Sequence, residues 1–218
     1  MSLMDGESPV VDRIRRHIAE GVYNPRERLV EAELAERYGV TRSALRIALL
    51  ELASEGLIER EHNRGARVRA LSVGEAIEIV EVRRELEALC ARRAAEHATE
   101  DEREQLLGLV SVMRKAVDDG DYLGYMRANG EFHEAIFAMA RHRTAAGMLA
   151  RLGNLNLNHH FPTVFTSRQP TGSLREHERL AEAIARRDPD RAAAAMHEHL
   201  TSLVDMLQRY EAATTAPA

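Results

Sequence analysis

Residues 31–56 read EAELAERYGVTRSALRIALLELASEG, and the spacing of their apolar positions decides the first part of the fold. Ala32, Leu34 and Ala35 share one side of a helix over 31–38, and Gly39 stops it. Thr41 can then cap a second, longer helix running to about Glu55, with Leu45, Ala48, Leu49 and Leu52 available for its buried side. Gly56 ends it. Two helices joined by a short glycine-containing turn form a helix-turn-helix. Upstream, Ser8 as N-cap and Pro9 at the first helical position open a helix carrying Val11, Ile14 and Ile18 that should stop near Gly21. Downstream the period falls to two. LIERE, HNRG and ARVRA read as a two-stranded ribbon with a polar turn, which after a helix-turn-helix makes a wing.

Residues 1–70 therefore form one domain, and ALS at 70–72 reads as a linker. Beyond it the pattern is helical throughout. Ser/Thr-x-x-Glu capping boxes at Ser72, Thr99 and Ser173 start three helices, DDGD at 118–121 and ARHRT at 140–144 break others, and Asp188-Pro189 starts the last. Six helices over 73–212 predict an antiparallel bundle, with residues 213–218 as a disordered tail. The expected fold class is mainly α: a winged helix-turn-helix followed by an all-α bundle.

At 218 residues, 44% hydrophobic and 30% charged, the chain has the composition of a soluble globular protein. Its longest apolar stretches, such as IALLELA at 47–53, are far shorter than the roughly 18 residues of a spanning helix. The acidic N-terminus lacks a signal-peptide pattern, so the expected location is the cytoplasm, without a membrane partner. Cys90 is the single cysteine; inside a helical pattern it reads as a small core residue. A net charge of −5 argues against a nucleic-acid partner until its distribution is considered. Residues 1–70 hold 12 Arg against 12 acidic residues, leaving 18 basic against 23 acidic residues beyond. Arg42, Arg46, Arg60, Arg64, Arg67 and Arg69 cluster between 40 and 70, which permits a local basic face. Arg42, Ser43 and Arg46 occupy the first turns of the second helix, where Arg can bond guanine O6 and N7 in the major groove and hydroxyls can take phosphate. A solvated helical hairpin is the plainer alternative.

The bundle raises a different question. Asn129 and His133 lie four apart on a stripe with Tyr122, Tyr125, Ile136, Phe137 and Ala140, so both should face inward. His177 shares a stripe with Leu174, Leu180 and Ile184, and His199 with Met196, Leu203 and Leu207. His197 sits on another face. A lone inward histidine is ordinarily a hydrogen-bonded core residue; three with an amide, from three helices, can converge as ligands for Zn²⁺ or a similar ion. Arg83 lies on the stripe of Ile79, Leu86 and Cys90. It can grip a carboxylate ligand as a fork or pair with Glu87 four residues on. A three-His centre also begins many zinc hydrolases, yet HEAIF, HERLA and HEHL leave His-Glu-x-x-His incomplete. A purely structural metal is the third option.

The run NPRERLVEAELAERYGVTRSALRIALLELASEGLIEREHNRGARV at 24–68 resembles the GntR family of transcriptional regulators, in the FadR-type branch whose effector domain is the all-helical FCD domain. ERLVEAELAERYGVTR, RSALR, LELASEGLI and NRGARV carry the resemblance. Arg26 departs from the usual Gly of a Pro-Gly turn, and Ser43-Ala44 from the usual Thr-Pro. The resemblance implies that Arg42, Ser43 and Arg46 contact the operator, with Thr41 on phosphate and His62, Asn63, Arg64 and Gly65 at the wing. It also implies a metal held by Asn129, His133, His177 and His199, with zinc expected first and nickel or manganese as alternatives. Asn129 stands where Asp is commoner, and a neutral carbonyl leaves the ion's charge uncompensated, which favours a small carboxylate effector in the shell. One winged helix offers a small DNA interface, so a homodimer on a pseudo-palindromic duplex site is implied. The function expected is a metabolite-responsive DNA-binding regulator, a repressor by family tendency, and not an enzyme.

Overall fold

A computed structural model describes residues 8–61, 65–153, 157–161 and 170–215. In chain order it begins α1 (Val10–Ala19), β1 (Arg28–Leu29), α2 (Glu31–Tyr38), α3 (Arg42–Ser54), β2 (Ile58–Glu61) and β3 (Gly65–Val68). Then follow α4 (Val73–His97), α5 (Glu100–Asp118), α6 (Tyr122–Met139), α7 (Arg143–Gly153), α8 (Leu157–His160), α9 (Pro170–Ala185) and α10 (Pro189–Thr215). Two compact units result. The first runs through Ser72 and also takes in α8; the second starts at Val73. No helix among the described residues is long and apolar enough to cross a membrane.

In the first unit, Ile14, Ile18, Leu34, Leu45, Leu49 and Leu52 bring α1, α2 and α3 together as buried stripes. Gly39, at φ 65°, adopts the left-handed conformation that ends α2, and Val40 N–H returns to Ala35 O at 3.0 Å. Thr41 Oγ1 then accepts from Ala44 N–H at 3.2 Å and starts α3. The first helix begins one residue late. Pro9 rather than Ser8 is its N-cap, with ψ 143° still extended and no side-chain cap.

The wing is a three-stranded sheet rather than a two-stranded ribbon, in the order β1-β3-β2. Ile58 pairs with Val68 and Glu59 with Arg67, so the buried and exposed faces alternate as the period predicts. The added strand, β1, is two residues long and pairs Leu29 with Ala66. Arg26 leads into it at φ 68°, its N–H donating to Val68 O at 2.9 Å.

The second unit contains the six expected helices. Thr99 and Glu102 form a reciprocal capping box at the start of α5, Asp121 caps α6, and Arg191 N–H donates to Asp188 Oδ1 at 3.0 Å where α10 begins. Phe132, Leu106, Met113, Ile136, Leu180 and Met196 are fully buried at its centre. Two expectations fail. Ser173 does not start a helix, because α9 begins at Pro170 and places Ser173 and Glu176 inside it. The tail expected from residue 213 is helical through Thr215, with the Thr214 hydroxyl donating to Tyr210 O at 2.9 Å.

Candidate DNA interface and metal centre

Arg42, Ser43 and Arg46 are exposed on α3, Ser43 opposite its buried stripe and the two arginines on the flank. Arg46 Nε donates to Glu31 Oε2 at 2.8 Å, but its side chain remains 65% exposed, and such a surface pair is weak enough for a base edge to displace. The Thr41 hydroxyl serves as the α3 cap. Gly65 stands at φ 93°, and a Cβ there would come within 3.3 Å of Leu29 O, so β3 needs glycine for its own start. His62, Asn63 and Arg64 lie outside the described residues.

In the bundle, α6, α9 and α10 bring His133, His177 and His199 to one buried point, where ring nitrogens of all three lie within 4.8 Å of one another. His133 Nε2 and His177 Nε2 face each other at 3.4 Å. A tetrahedral ion with Zn–N bonds of ~2.0–2.1 Å spaces its donors about 3.3–3.4 Å apart, so the separation fits.

The opposite ring nitrogens explain the orientation. His133 Nδ1 meets Glu87 Oε2 of α4 at 3.0 Å, and His199 Nδ1 meets Glu176 Oε2 of α9 at 2.8 Å. A nitrogen facing a carboxylate carries the proton, which leaves the Nε2 lone pair of a neutral ring available to a metal. The Tyr125 hydroxyl lies 3.5 Å from His177 Nδ1. Glu176 also accepts from Ser202 at 3.0 Å. Glu87 is fully buried, and Arg83 Nε donates to its Oε1 at 2.9 Å. Burial alone would raise the Glu87 carboxyl, but Arg83 and His133 together outweigh it and hold it at about 2.

The four carboxylate oxygens of Glu87 and Glu176 were not anticipated as part of the site. Both add negative charge behind the histidines, which the neutral Asn129 does not supply. Spacing offered a signal for one: Glu87 is four residues beyond the inward Arg83. The Ser173-x-x-Glu176 spacing predicts a helix cap for Glu176 instead. Arg83 is engaged with Glu87, so a carboxylate ligand would have to share or take this guanidinium. Asn129 is half-buried one turn before His133. His197, 46% exposed, faces Glu85 instead. Burial pushes the Cys90 thiol up to about 11, as suits a core residue.

Comparison with known proteins places both halves. Residues 7–68 match the family described as bacterial regulatory proteins, gntR family, and residues 78–202 match the FCD domain. The HTH-type transcriptional repressor RspR of Escherichia coli (strain K12) is 26% identical over 203 residues, covering 90% of this chain and 86% of its own length. The HTH-type transcriptional regulator LutR of Bacillus subtilis (strain 168) is 28% identical over 214 residues, covering 88% and 97%. Among solved structures, E. coli McbR/YncC has the same fold with a TM-score of 0.77 at 21% identity, covering 96% of this chain and 100% of that one. With both domain models matched in order, the chain belongs to the GntR family and is a DNA-binding transcriptional regulator with an FCD domain, not an enzyme.

Proposed function

We propose that this regulator is a homodimeric repressor whose bundle holds a divalent transition metal, zinc in the first instance, and senses a small carboxylate there. His133, His177 and His199 would hold the ion through Nε2, with Asn129 as the fourth protein ligand. The observation that carries this reading is the 3.4 Å approach of two Nε2 atoms whose rings are turned by a carboxylate and a hydroxyl behind them. The bound metal would supply a fixed positive charge for an anion. Glu87 shares its charge with Arg83, so the two outer carboxylates offset only part of a divalent charge, and the remainder suits one carboxylate. Arg42, Ser43 and Arg46 would read the operator, Thr41 and the wing residues His62, Asn63, Arg64 and Gly65 would follow its backbone, and two copies would span a pseudo-palindromic site. An effector would act by binding more tightly to one of two spacings of the paired winged helices.

Metal analysis of the purified protein followed by a thermal-shift screen of small organic acids tests the proposal. It predicts one divalent ion per chain, and a further rise in Tm with particular acids only when the metal is present. Metal without any acid response would leave a structural ion and overturn the sensing role. Absence of a stoichiometric ion would overturn the centre itself.

A further inference from the structure

The outward face of α3 carries more than its polar residues. Leu45, Ala48, Leu49 and Leu52 are buried, and at 100° per residue Ser43, Ile47, Leu50 and Ser54 lie on the opposite face. Ile47 is 64% exposed and Leu50 51%. A β-branched side chain is a poor choice for an exposed helix position on propensity alone, since it loses rotamer freedom and covers nothing. Ile47 also lies one turn beyond Ser43 and next to Arg46, so the apolar surface continues directly from the polar residues of the recognition helix.

We infer that Ile47 is a specificity-determining residue that reads the C5-methyl group of a thymine in the major groove. Thymine's methyl is the one apolar group that a standard base pair presents there. Arg46 and Ser43 offer only hydrogen bonds, so they cannot recognise that group. The inference rests on α3 being the helix that enters the groove. Leu50 lies a further turn from the helix N-terminus, where the groove contacts of such helices concentrate.

Selection of sites from a random duplex pool by the full-length protein provides the probe, followed by binding at fixed salt to the selected duplex with each thymine replaced in turn by deoxyuridine. For the wild type, at least one replacement per half-site should weaken binding about fourfold, the effect of one buried methyl. In Ile47→Ala, replacement at that position should have no effect, while the dependence on the other selected bases persists. Full methyl sensitivity in Ile47→Ala, or none in the wild type, would overturn the assignment. Arg46→Ala checks the premise separately: if it selects the same site with the same affinity, α3 is not the reading helix and the inference falls with it.

Discussion

Replacing Arg83 by Met should destabilise the bundle more than any single surface change, because it leaves Glu87 charged and fully buried with its strongest partner gone. The guanidinium lies 2.8 Å from Glu87 Oε1, and at an effective dielectric of about 20 the attraction is ~6 kcal/mol, much of it offset by desolvation. Removing one partner of a buried pair typically costs about 3–5 kcal/mol. The Arg83 side chain is 23% exposed, and His133 still faces the carboxylate, which together put the loss near the lower end, about 3 kcal/mol. Arg83→Met/Glu87→Leu removes both charges and should recover about 2 kcal/mol, leaving the deficit of His133's missing acceptor. Urea unfolding of the metal-free protein, followed by far-UV circular dichroism, measures both variants and Glu87→Leu alone. Strictly additive effects, or an Arg83→Met variant within about 0.5 kcal/mol of wild type, would refute the pairing.

Arg26→Gly should stabilise the first unit by about 0.5–1 kcal/mol, since relief of roughly 1–2 kcal/mol at φ 68° exceeds the entropy lost to glycine; an unchanged or lower urea midpoint would contradict it. Thr99→Ala removes the hydroxyl half of the α5 capping box and should cost about 1 kcal/mol at pH 7. The Glu102 carboxyl is lowered below its ordinary 4.5, first by the Thr99 backbone N–H and then by Arg141. Its stabilisation is therefore complete above that pH and lost as pH falls through the folded value; alanine at position 99 keeps the backbone N–H that Glu102 accepts from, so the Thr99→Ala deficit should change little across acid unfolding curves. Arg46→Ala should weaken binding to a selected site at least about tenfold without altering the circular dichroism spectrum, the loss expected of a bidentate base contact. Glu176→Gln should weaken zinc binding about 10–100-fold in a chelator competition while leaving the three histidines in place; unchanged affinity would remove Glu176 from the site.

The helix-turn-helix was legible because its information is local: Gly39 at the turn and Leu45, Ala48, Leu49 and Leu52 at helical spacing need no distant partner. The inward histidines were legible for the same reason, each marked by its own stripe. What was not legible depends on pairings across the chain. Arg28 and Leu29 are a strand only because β3 lies beside them, and two residues carry no period. Ser173-x-x-Glu176 has the same local pattern as Thr99-x-x-Glu102, yet only the second is a cap. The difference is set by the helical turn that begins at Pro170 and by His199 waiting for the Glu176 carboxylate. Glu87 was visible as the neighbour of Arg83, whereas its contact with His133 joins residues 46 positions apart.

Titration of Zn²⁺ into the metal-free protein against a competing chelator, for wild type and His177→Ala, tests the central claim most directly. One high-affinity site per chain in the wild type, weakened more than about 100-fold in His177→Ala while specific DNA binding persists, is the result the metal centre predicts. Equal zinc affinity in the two proteins, or no stoichiometric site in either, would contradict it.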